Sequence, residues 1–156
     1  MLKTSLLPLW HALAQVKTLH FSAQSHANTG WNGQGHGQVR VEQPNAETLI
    51  FHESGQWQAT RANASPLQFQ NIFRWTLNEK TLTLAHLRHG PLQAVHLFDL
   101  TETHPGHWQT HHPHLCGQDT YAATLLLHPN KICVDWCITG PRKNENLAYI
   151  YAFSSI

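Results

Sequence analysis

The sequence predicts an all-β fold: one antiparallel up-and-down barrel of about eight to ten strands, preceded by one short N-terminal helix. Three observations carry that prediction. From Leu19 onward, short segments of alternating apolar and polar residues recur about every 10–14 residues, punctuated by Gly, Pro and Asn. Only residues 5–17 show a helical period, and no second helix is long enough to cross between parallel strands, so the sheet should be antiparallel. The 156 residues are 41% hydrophobic, enough for one core, and residues 1–156 are read as a single domain. Closing the sheet removes the unpaired edges that an open sheet would expose.

Each element has its local reason. In residues 5–17 (SLLPLWHALAQVK), Ser5 can cap the helix, Pro8 falls in the first turn, and Leu6, Leu9, Trp10 and Leu13 mark one apolar face. Leu19, Phe21 and Ala23 then alternate with polar residues. Residues 33–43 alternate Gly and Val with polar residues, and 47–54 form a strand that Gly55 is expected to end as a turn. Strands over 67–77, 80–88 and 92–100 are separated by Asn78-Glu79 and Gly90-Pro91. Four more segments follow at 107–116, 119–128, 131–139 and 146–153. No internal repeat or linker interrupts them.

Composition limits the partners. Ten Lys and Arg against nine Asp and Glu leave a formal charge of +1, which excludes the basic excess of a nucleic-acid binder and of a polybasic membrane-surface protein. No apolar run approaches the roughly 18 residues of a membrane span. The 14 His would take the charge from +1 to +15 if all were protonated, so charge should depend strongly on pH between about 5 and 7. Cys133 and Cys137, four apart on one strand, would have Cα atoms about 13 Å apart, too far for a disulfide. Together with Cys116 they are expected to be reduced, buried thiols, which points to the cytoplasm. The oligomeric state is open, a homodimer included.

Polar residues in phase with apolar ones are the candidates for chemistry. Glu53 is in phase with Leu49 and Phe51, His96 with Leu92, Ala94 and Phe98, and Asp135 with Cys133 and Cys137. An inward carboxyl or imidazole must be paired, hydrogen-bonded or neutralised. The His-rich stretch 104–114 (His104, His107, His111, His112, His114) continues to Cys116, and His112, His114 and Cys116 would share a strand face. Its spacing matches no strong zinc pattern, and it is read as polar surface with no metal assigned. Gly33, Gly35 and Gly37 lack the helix start a phosphate loop needs, and are expected to permit a sharp bend or close strand packing. Gly140-Pro141 sets Arg142 and Lys143 side by side at the exit of a turn, where two cations could clamp an acid group.

These segments resemble an uncharacterised family of small bacterial and fungal domains of unknown function regarded as lipocalin-like (calycin-type) barrels. The resemblance runs through Trp31-Asn32-Gly33, Phe51-His52-Glu53-Ser54-Gly55, Phe73-Arg74-Trp75 and Val95-His96-Leu97. It continues through His114-Leu115-Cys116-Gly117-Gln118-Asp119-Thr120-Tyr121 and Gly140-Pro141-Arg142-Lys143, the two most specific motifs. Val95 stands where the pattern has an aromatic, Phe51 replaces a Tyr, and the first-strand Trp-x-x-x-Arg element has no match near His20–Phe21. The resemblance implies a lipocalin-like fold and leaves activity and cofactor undefined.

Within that frame Glu53, His96, Asp119, Tyr121, Arg142 and Lys143 are expected to converge, with Trp75, at one mouth of the barrel. The leading expectation is binding of a small organic molecule with a polar or acidic head. Trp75 and Trp136 would contact its body, while His96 and Arg142 or Lys143 fix its head. The alternative is a small-molecule enzyme (an isomerase, lyase or hydrolase) with His96 as acid or base, Asp119 orienting it and Lys143 stabilising negative charge.

Overall fold

Inward–outward alternation along the strands gives this sheet one apolar face, and pairing of its last strand with its first closes it. The computed structural model describes residues 6–26, 32–88, 90 and 93–154. Helix α1 (Leu6–Ala14) precedes eleven strands: β1 (Thr18–Ser25), β2 (Gly33–Asn45), β3 (Thr48–Ala59), β4 (Leu67–Leu77), β5 (Thr81–His86), β6 (Val95–His104), β7 (His107–Thr110), β8 (His114–Cys116), β9 (Asp119–Leu127), β10 (Lys131–Thr139) and β11 (Asn144–Ala152). Neighbours pair antiparallel in sequence order from β1 to β7, then β7 with β9, β9 with β10, β10 with β11 and β11 back to β1. β7 and β8 lie on the same edge of β9, opposite residues 124–126 and 119–121. They act as one interrupted strand, so the ring is a closed ten-stranded antiparallel barrel.

The inner face carries the core. β10 shows the pattern plainly: Ile132, Val134, Trp136 and Ile138 are buried, while Asp135 and Cys137 between them are exposed. At one end of the barrel, α1 buries Leu6, Leu9, Trp10 and Leu13 against that core. The Trp10 indole N–H donates to the carbonyl of Ala46 in the β2–β3 turn, at 3.0 Å. This end is plugged. The opposite end, where β1 finishes and β2, β4 and β9 begin, has no helix over it among the described residues.

The structure departs from the sequence expectations at several points. The helix ends at Ala14 rather than residue 17, and Ser5 lies outside the described residues. Gly55 does not end β3; it sits mid-strand directly opposite Gly37 of β2. A Cβ on Gly37 would overlap the Ser54 carbonyl, and a Cβ on Gly55 the His36 carbonyl. The two bare residues let the main chains press together, the close strand packing that the alternating Gly of β2 suggested. Cys133 is half-buried, and Cys116 and Cys137 are exposed. All three are free thiols but none is buried, because Cys133 and Cys137 share the outer face with Asp135.

The His-rich stretch is not one loop. His104 and His107 face each other across the turn at Pro105-Gly106, with ring centroids 5.8 Å apart. His112 lies in the bend between β7 and β8, so it shares no strand face with Cys116. The side chain of His114 lies outside the described residues. Among the described residues, no three His, Cys, Asp or Glu side chains are grouped so as to hold a metal.

Gly37→Ala should lower the free energy of unfolding by about 1–3 kcal/mol, the scale of an overpacked site. Urea denaturation measures it. A midpoint within error of the parent protein's would contradict the close packing of β2 on β3.

Candidate functional site

The open end of the barrel is built from the last inward positions of its strands. β1 contributes Phe21 and Ala23, β3 Trp57, β4 Leu67 and Phe69, and β11 Leu147 and Glu145. β2 contributes Gly33 and Gly35, hence no side chain. Neighbouring rings take the vacant space: a Cβ on Gly35 would overlap the Phe21 ring, and one on Gly33 would meet Trp57. Phe21 stacks on Trp57 at 5.6 Å and 15°, and Phe69 stands edge-on to Phe21 at 5.3 Å and 84°. Between these walls lies a pocket of about 370 Å³, apolar but for Gln68 and Glu145. That volume lies in the lower part of the range of roughly 300–1,000 Å³ typical of small-molecule sites.

Below this mouth the lumen is filled by rings. Tyr149 stacks on Phe21 at 5.0 Å and contacts Trp136 at 5.8 Å, and Trp136 meets Phe73 and Phe98 edge-on. Deeper still, Phe51 packs against Trp75 and Tyr151. Trp75 and Trp136, expected to touch a ligand, are 1% and 7% exposed and belong to this packing. The tryptophan at the mouth is Trp57.

Glu53 points inward, as its phase predicted, and is only 2% exposed. Its Oε2 accepts a hydrogen bond of 2.6 Å from the Tyr151 hydroxyl, while Oε1 has no partner among the described residues. Burial pushes its carboxyl up to about 8 from an ordinary 4.5, with the Tyr151 bond opposing. A fully buried carboxyl keeps its proton because ionising it there costs several kcal/mol. Burial first, then the neighbouring Glu53, raises the Tyr151 phenol well above its usual value, so it remains a donor.

The rim beyond the mouth gathers part of the predicted constellation. Lys143 Nζ lies 3.5 Å from Asp119 Oδ2, and the Asp119 carboxylate occupies the space a Cβ on Gly140 would need. A hollow of about 420 Å³ opens between the β8–β9 and β10–β11 hairpins, with Asp119, Arg142 and Lys143 on its walls. Tyr121 is inward on β9, its phenol raised chiefly by burial and lowered by the charge of Lys143. Asp119, Tyr121, Arg142 and Lys143 therefore do gather at one rim.

His96 does not join them. Leu84 pairs with Phe98 but Ala85 pairs with His96, so Leu97 is an extra residue in a bulge. The bulge breaks the period-two phase, Phe98 and Leu100 stay inside, and His96 turns to the outer face. There its Nε2 lies 3.2 Å from Asp99 Oδ1, and Asp99 also accepts from the Thr83 hydroxyl. Asp135 likewise faces out. Leu92, invoked for the His96 phase, and Trp31 lie outside the described residues.

Three residues on this inner face escape the sequence reading although their phase marks them. Trp57 continues Leu49, Phe51 and Glu53, and Glu145 continues Leu147, Tyr149 and Tyr151. His86 continues Leu82 and Leu84, and its ring stacks on Phe73 at 4.9 Å and 28°.

The model of a family of unknown function, DUF6314, matches residues 18–152, from the first residue of β1 to the last of β11. The chain belongs to that family. The DUF6314 match is thus the barrel itself, without α1. No curated protein matches. Solved structures of similar outline include designed proteins. One is a redesigned β-barrel, mFAP1, bound to DFHBI: 10% identical, covering 90% of this chain and 96% of that one, with a TM-score of 0.42. Another is a fluorescence-activating β-barrel designed de novo: 10% identical, covering 90% of this chain and 95% of that one, with a TM-score of 0.43.

The buried carboxyl gives this DUF6314 barrel a pH dependence of known sign. Below pH 4.5 Glu53 is protonated whether the chain is folded or unfolded. Between 4.5 and about 8 only the unfolded chain releases that proton, so stability falls as pH rises and levels off above about 8. Glu53→Gln should remove this slope. The stability difference between parent and variant should change by at most about 1.4 kcal/mol per pH unit across that window. Urea midpoints from pH 4 to 9 measure it, and taking the difference cancels the histidines. A difference independent of pH would refute a proton held at Glu53.

Proposed function

We propose that the barrel binds a small organic molecule with a polar head at its open end, its apolar body among the rings of the mouth pocket. One observation carries this reading: a one-ended cup, plugged by α1 and lined at the other end by Phe21, Trp57, Phe69 and Leu147 over a wall of glycine. Large rings around an apolar hollow favour a ligand that completes their burial, worth about 25 cal/mol per Å² covered. Tyr121, Arg142 and Lys143 are polar groups of the rim outside that pocket. Asp119 holds Lys143 there. Glu53, Trp75 and Trp136 support the cup from below rather than by contact.

The enzyme reading has less in its favour. It needs His96 beside Asp119 and Lys143, whereas His96 is on the outer face with Asp99. A purely structural role would leave no hollow next to the rim groups. A reducing, cytoplasmic setting is supported by the three free thiols.

Titration with a panel of aromatic and aliphatic metabolites, read by tryptophan emission, tests the proposal. A binder should lose about tenfold in affinity or more in Trp57→Ala, while Trp136→Phe changes affinity little. Ligands that bind Trp57→Ala as tightly as the parent would sink the mouth as the site.

A further inference from the structure

We infer that the head group accepted inside the mouth pocket is an organic cation, a primary to quaternary ammonium, held by Glu145 against the aromatic corner. The inference rests on the mouth being the binding site and names the class of ligand it takes.

Glu145 is the charged side chain that lines this pocket. Alternation along β11 turns it to the inner face with Leu147, Tyr149 and Tyr151, and its residue pairs with Ser25 of β1 and Ile138 of β10. No hydrogen bond or ion pair engages its carboxylate among the described residues. The rim cations are occupied elsewhere: Lys143 is against Asp119, and Arg142 lines the separate hollow between the two hairpins.

Two physical arguments then select the ligand's charge. First, a molecule in this mostly apolar pocket that reaches Glu145 takes its carboxylate from water, which is costly unless the ligand supplies a positive charge or a donor there. A neutral hydrocarbon leaves the cost standing, and an acid adds like-charge repulsion. Second, the walls favour the same sign. Trp57 lies nearly parallel to Phe21, and Phe69 is set at 84° to it, so ring planes form a corner. Ring faces attract ammonium groups through the ring quadrupole, and the attraction strengthens as water is excluded. The carboxylate and the rings therefore act on one cationic head together.

Three probes with one body and different heads decide the matter: 4-phenylbutylamine, 4-phenylbutanol and 4-phenylbutyrate, titrated by tryptophan emission and by amide shifts of residues lining the mouth. The amine should bind at least about tenfold more tightly than the alcohol, with the acid weakest. In Glu145→Gln the amine should fall to the level of the alcohol, with alcohol binding retained. In Glu145→Lys the order of amine and acid should reverse. An acid or alcohol that matches the amine in the parent protein, or an amine preference that survives in Glu145→Gln, overturns the cation while leaving the mouth as a site. Absence of binding by all three probes overturns both.

Discussion

The bare inner face of β2 is the constraint on which the rest of this barrel depends. Gly33, Gly35 and Gly37 occupy consecutive inward positions, and Gly55 of β3 faces Gly37. A side chain at any of these four would strike main chain or a ring. Their absence lets two long strands of 13 and 12 residues bend and press together, which a small closed barrel requires of at least part of its wall. It also leaves the lumen beside β2 unfilled by β2 itself. Phe21 and Trp57 lean into that space from the neighbouring strands, and the mouth pocket is what they leave over. Closure and cavity thus have one origin.

Ring packing below the mouth explains why the barrel tolerates a carboxyl at its centre. Glu53 sits at the level of Val39 and Asn71 on the neighbouring strands, with Tyr151 reaching over from β11. One short hydrogen bond to a phenol that cannot ionise at ordinary pH, plus a retained proton, reduces the penalty for burying this group from that of a charge to that of a half-satisfied acid. Glu145 lies on the same inner face of β11 as Tyr151, nearer the mouth, and meets the opposite environment: a hollow open to water. Two carboxyl groups facing one lumen therefore differ in what they can do. The inner one is a structural acid, and the outer one is available to a partner.

The architecture is legible because it depends on period two and on turn residues, both of which survive in a sequence of low charge. Strand number, antiparallel pairing, the single helix and the role of the β2 glycines can all be read that way. The errors at Gly55 and His96 share one cause: each depends on how two strands pair, which neither segment shows alone. A lone glycine usually marks a turn, but Gly55, opposite Gly37, is a contact between strands, and ending β3 there conceals Trp57. Counting back from Phe98 across Leu97 puts His96 inside, where a bulge resets the count. Conversely, the motifs that carry Asp119, Tyr121 and Lys143 lie at the ends of two hairpins, and those hairpins do bring them together at one rim. Turn chemistry fixes hairpin tips locally, whereas the pairing that creates a bulge is a property of two strands and is invisible in either one alone.

The division of charge around the open end follows from the same geometry. Hairpin tips project beyond the ring of paired strands, so Arg142 and Lys143 can stay hydrated, and Lys143 can lie against Asp119 at little cost. Glu145 is the second residue of β11, already within the ladder, so the pleat turns its side chain to the inner face. A molecule approaching the mouth meets exposed cations outside and a carboxylate within. A cationic head is repelled by the first and held by the second, while an acidic head meets the reverse order, attracted at the rim and rejected beyond it. A site arranged in this way discriminates by depth: how far a ligand's charged end travels past the rim decides which sign it must carry. Since α1 closes the far end, the ligand has only this one approach among the described elements, and the order in which it meets the two charges is fixed.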